Sequence, residues 1–187
     1  MKKLGFLSVL LTLAAMLAGT ALAQGDQSFY FTTYFSNANT ANAPDATVRI
    51  INDGDTEGNL FAAIFVFDDS EELTECCSCV ITPDGLLSES VNKNLTANPL
   101  TGIKPTRGVI KVLSSTDGSA NTGLLGAGLR AWATHVQKAT SGFVLTEAPF
   151  ADSNLAQSEQ NLLYELCEFD ELLSGKPCTC TAEDQDF

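Results

Sequence analysis

The sequence predicts a mainly β domain, an antiparallel β-sandwich of immunoglobulin-like or jelly-roll-like kind, carrying one C-terminal α-helix and stapled by disulfides. Three observations predict it. Six to eight short runs rich in β-branched and aromatic residues recur at roughly 10–20-residue spacing, divided by Gly, Pro, Asn and Asp. One segment near the C-terminus switches to helical periodicity. Six cysteines stand in two tight groups: Cys76, Cys77 and Cys79 in the middle, Cys167, Cys178 and Cys180 near the end.

Phe29 to Phe35 (FYFTTYF) is aromatic and β-branched, a strong strand signal. Ser36 to Pro44 is small and polar and reads as a loop. Thr47 to Ile51 alternates, with Val48 and Ile50 on one face and Thr47 and Arg49 on the other. Asn52-Asp53-Gly54 signals a turn. Leu60 to Phe67 is continuously apolar, as expected of a central strand buried on both faces. A short helix fits the same periodicity, but Asn59 before it and Asp68-Asp69 after it favour a strand. The acidic run and CCSC follow, then a turn at Thr82-Pro83-Asp84-Gly85. Leu86 to Leu95 is a weaker strand candidate. Gly108 to Leu113 alternates with Ile110 and Val112 inward, and Leu129 to Val136 with Leu129, Ala131 and Ala133 opposite Arg130, Trp132 and Thr134. Phe143 to Glu147 reads as a last short strand.

The helix is expected over about 153–173. Asp152 and Ser153 are good N-caps, and Leu155, Leu162, Leu163, Leu166, Phe169 and Leu173 recur at helical spacing. Gly175 and Pro177 stop it. Residues 181–187 read as a flexible acidic tail, so the single β-rich domain spans 24–180.

Residues 1–23 read as a secretory signal peptide. Lys2 and Lys3 precede an apolar core from Leu4 to Leu17, and Ala21-Leu22-Ala23 forms a small-residue cleavage site. The mature product is therefore expected to be secreted, periplasmic or extracellular, with no membrane insertion after cleavage. Removing these residues takes away two lysines and no acids, so the formal charge falls from −13 to −15. So acidic a chain disfavours nucleic acid as a partner, because phosphate binding needs clustered Lys and Arg.

An even number of cysteines behind a signal peptide implies disulfides. Adjacent and C-x-C cysteines bridge each other only with strain, which favours bridges between the two groups. Each such bridge closes a loop of roughly 90–100 residues, worth about 4–5 kcal/mol in chain entropy. Pairing of Cys167 with Cys178 or Cys180 is an alternative. A metal–thiolate site and a redox-active bridge are rivals, though structural zinc uses wider spacing and exchangers use C-x-x-C.

Other chemistry is weakly signalled. His135 is the single histidine, without a motif partner. No G-x-S-x-G or ordered G-x-G-x-x-G occurs, so no catalytic residue is assigned and a non-enzymatic role is expected. The groups Asp53, Asp55, Glu57 and Asp68, Asp69, Glu71, Glu72 could supply oxygens to Ca²⁺, the one cofactor the chain suggests. The strand Phe29–Phe35 must pair somewhere, with its own sheet or with a neighbouring copy in self-assembly.

The segments ECCSC, TPDGLLSESVNKNLTANPLTG, PTRGVIKV and LRAWATH, with the CxC tail, resemble secreted six-cysteine proteins of acidobacterial type, a group with no assigned activity. The likeness covers roughly Phe31 to Cys180. It implies export and a single folded unit, and gives no residue a role. The expected function is a structural, adhesive or surface-assembly domain. A carbohydrate- or Ca-binding module comes second and an extracellular enzyme third.

Overall fold

Leu60 to Asp68 forms the strand that organises the molecule. In the computed structural model, which describes residues 28–56, 58–117 and 124–174, this strand (β3) is buried along almost its whole length. Ala62, Ile64 and Val66 point into one apolar core, while Ala63, Phe65 and Phe67 point into a second. Two-sided burial explains the absence of a polar stripe in its sequence.

Two antiparallel sheets pack face to face. The strands are β1 (Tyr30–Ser36), β2 (Thr47–Asn52), β3, β4 (Leu73–Ile81), β5 (Leu86–Ser90), β6 (Arg107–Ser115), β7 (Leu129–Lys138), β8 (Phe143–Pro149) and β9 (Ala151–Asp152). The first sheet runs β4-β3-β6-β1-β9 and the second β5-β2-β7-β8. Alternation fills the space between them: Phe31, Phe35, Ile64, Ile110 and Val112 meet Val48, Ile50, Leu87, Ala131 and Ala133. The helix α1 (Gln157–Ser174) lies on the outer face of the first sheet. The molecule is thus an antiparallel β-sandwich with a helical third layer.

The expected Phe29–Phe35 strand is β1, paired with β6 along its whole length from Tyr30↔Leu113 to Ser36↔Arg107. It belongs to its own sheet. The loop after it is shaped by asparagines at positive φ, Asn37 (57°), Asn39 (52°) and Asn42 (62°), a conformation asparagine tolerates well. Asn39 ties this loop down by donating its amide to the Pro105 carbonyl (2.9 Å) and to Thr96 (3.0 Å). Gly108 of β6 sits where a β-carbon would collide with the Phe67 carbonyl, so only glycine fits there.

Two boundaries differ from expectation. The helix begins at Gln157, because Ala151–Asp152 pairs with β1 and the Ser153 N–H is held by the Tyr30 carbonyl (3.0 Å). Tertiary pairing there overrides a good local cap. Leu86–Leu95 is a strand only to Ser90. The Ser90 hydroxyl then accepts the Lys93 N–H (3.0 Å) and opens a single π-helical turn, Val91–Leu95. CCSC falls within β4, a strand the acidic run concealed. Among the described residues, no helix is long and apolar enough to cross a membrane. The expected signal peptide and acidic tail lie outside the described residues.

Candidate functional site

The outer face of the first sheet carries three cross-strand rows. Ala63–Leu113–Tyr30 is the first, Phe65–Lys111–Thr32 the second and Phe67–Val109–Tyr34 the third. Helix α1 covers the first row and part of the second through Leu163, Tyr164 and Cys167. It leaves much of the third open: Val109 is 37% exposed and Tyr34 is 49%.

Three contacts of different kinds hold the helix. Near its start, Glu159 pairs with Lys111 (2.5 Å) and accepts the Tyr30 hydroxyl (3.3 Å). An acid in the first helical turn also suits the helix dipole. Burial, with Glu159 beside it, raises the Tyr30 phenol well above its usual range. In the middle, Cys167 forms a disulfide with Cys76 of β4, with Cα atoms 5.7 Å apart and 91 residues of sequence between them. Towards its end, buried Asp170 lies within electrostatic reach of buried Glu75. Burial, then Asp170, pushes Glu75 up to about 7. Burial, then Glu171, also raises Asp170, and its Oδ1 has no hydrogen-bond partner among the described residues.

Between the helix and the open row runs a slot of about 390 Å³. Phe67, Val109 and Lys111 line it from the sheet, Leu162 and Leu166 from the helix, and Asp68 and Glu71 from the β3–β4 turn. The Lys111 ammonium sits 4.7 Å above the Phe67 ring and is matched by Glu159, so the free charge on the rim is negative. The apolar lining continues along the helix as a stripe: Leu162 (47% exposed), Leu166, Phe169 (56%) and Leu173 (54%). Its 4-3-4 spacing is that of a coiled-coil seam. Leaving such a stripe in water forfeits the free energy its burial would give.

The two cysteine groups are joined by the Cys76–Cys167 bridge. Strand alternation divides the first group, placing Cys76 under the helix and Cys77 and Cys79 in the inter-sheet core. Cys77 and Cys79 are also disulfide-bonded. Cys178 and Cys180 lie outside the described residues. The single group of three ligand-type side chains brought together among the described residues is Cys76, Cys167 and Glu171, and the disulfide consumes two of them.

Of the acidic groups suggested for calcium, Asp53, Asp68 and Asp69 serve turns and ion pairs. Asp53 binds Arg130 (3.3 Å) and accepts the Asp55 N–H (3.2 Å), and Glu57 lies outside the described residues. Asp68 accepts the Ser70 and Glu72 N–H groups (2.8 and 3.0 Å), and Asp69 pairs with Arg107 (2.6 Å). Glu71 alone of these joins Asp68 on the slot.

His135 is buried and stacks on Tyr34, with ring centroids 4.2 Å apart. Burial lowers its pKa, and its Nδ1 has no hydrogen-bond partner among the described residues. A smaller hollow of about 110 Å³ lies by Arg130, Trp132, Phe150 and Asp152. Sequence reasoning missed Glu75, Asp170 and the Lys111–Glu159 pair. The 4-3-4 stripe was visible in the helical periodicity, but its exposure was not.

No family model matches the chain, and no curated protein matches its sequence. Among solved structures, the chain is similar to that titled "Crystal Structure of Thermotoga maritima 1070", at 13% identity over 71% of this chain and 99% of that one. The TM-score of 0.45 makes it too distant a likeness to carry an argument.

Proposed function

We propose that this is a secreted, non-enzymatic adhesive or surface-assembly domain whose working face is the slot and the helix stripe beside it. The uncovered apolar stripe on α1 carries this reading. An acidic exported protein, of formal charge −13 before and −15 after loss of residues 1–23, that keeps Leu162, Phe169 and Leu173 in water does so at a cost in solubility, which an interaction face explains. The disulfide supports the same view, since it fixes the helix on the sheet and so gives the stripe a rigid base.

The test is retention at the surface of the producing cell. The parent protein is expected in the cell-surface fraction, and a Leu162→Asp, Phe169→Asp variant of unchanged melting temperature in the medium. Equal partition of the two would contradict the reading.

The hollow beside Trp132 favours a second reading, a carbohydrate-binding module. An aromatic face flanked by Arg130 and Asp152 is a common arrangement for sugars. Glycan titration should then quench Trp132 fluorescence, and an unchanged spectrum across a glycan panel would end that reading.

A further inference from the structure

Resting on the slot as the working face, we infer that its occupant is a basic amphipathic helix from another protein, laid alongside α1 on the uncovered part of the first sheet. The shape argues for a helix. Leu162 and Leu166 form one wall, Phe67 and Val109 form the floor, and the Leu162–Leu166–Phe169–Leu173 seam continues along the same side of α1. A second helix at ordinary interaxial distance would bury the seam and the floor together.

The charge argues for a basic partner and against a second copy of this chain. The slot's rim carries Asp68 and Glu71, and on α1 the exposed Glu165 stands beside the seam, with Glu168 farther round the helix and Glu171 against the disulfide. The helix has no basic residue at all. Its near cation, Lys111, is already paired with Glu159. Two such seams brought together would set acid against acid, whereas lysines and arginines flanking an apolar face would meet acids on both sides.

The experiment titrates the purified protein with two synthetic helical peptides sharing leucine at heptad a and d positions. One carries lysine elsewhere, the other glutamate. The Leu/Lys peptide is expected to bind and the Leu/Glu peptide not to, with affinity falling about tenfold between low and physiological salt. Leu162→Asp should weaken binding at least about tenfold. Val109→Thr, which keeps a strand-forming residue, should weaken it less, and Glu71→Gln should reduce its salt dependence. Binding of both peptides alike, or of the Leu/Lys peptide equally to Leu162→Asp, would overturn the inference. Self-association abolished by Leu162→Asp, without peptide binding, would overturn the partner but leave the slot as an interaction face. No binding, no self-association and no effect of the face variants on surface retention would remove both.

Discussion

Glu75 and Asp170 set two carboxyl groups against each other beneath the helix, and the chain brings them there through its covalent staple. Glu75 precedes Cys76 on β4, and Asp170 follows Cys167 by one helical turn, so a bridge between the cysteines draws both acids into the same buried seam. Burial is the first cause of the raised pKa of Glu75 and repulsion from Asp170 the second. The sign follows from a folded pKa above the unfolded one. The stabilising contribution is complete below the unfolded value of 4.5 and is lost as pH rises through about 7. That shift corresponds to roughly 3 kcal/mol at most. Melting temperature is therefore expected to fall between pH 4.5 and neutrality. Glu75→Gln should melt higher than the parent at pH 8 and close to it at pH 4. A variant that melts lower than the parent at pH 8 would show that the ionised carboxylate is stabilising.

The helix is the element on which these effects converge. It is attracted at its start by Lys111, tied in the middle by the disulfide and repelled near its end by a buried carboxylate. Cys167→Ser should cost about 4–5 kcal/mol in denaturant unfolding, the closure entropy of so long a loop. It should also increase hydrogen exchange in the second half of α1 before the first. A uniform increase along the helix would show that the acid pair does not weaken that end. The strands were legible in the sequence where one rule sufficed. Alternation placed Val48, Ile50, Ile110 and Val112 inward, and unbroken apolarity marked β3 as central. The helix was legible in type but not in start, because Ser153 is claimed by β1 through a contact 123 residues away in sequence. Glu75 gave no signal, since a buried acid and a solvated acid look alike in a run of acids. The stripe failed for the opposite reason: a seam left open has the same periodicity as one that is filled.

At the scale of the whole molecule, the sandwich supplies rigidity and the third layer supplies a surface. The inter-sheet core is closed: Val48, Ile50, Ile64 and Ile110 have no exposure at all. Truncating Ile64 to Ala should cost about 2–5 kcal/mol without altering peptide binding, which separates stability from function. Peptide mapping of the purified, unreduced protein is expected to recover Cys76–Cys167, with Cys77 and Cys79 linked to Cys178 and Cys180. A free thiol at Cys77 or Cys79 would contradict that pairing. On the proposed reading the molecule works through the open side of α1 and the sheet row beside it. Hydrogen exchange of the intact protein, with and without the Leu/Lys peptide, tests this most directly. Added protection is expected at Leu162 to Leu173 and in β3 and β6 around Phe67 and Val109. Protection confined to β8 or to the strands around Trp132, with α1 unchanged, would contradict it.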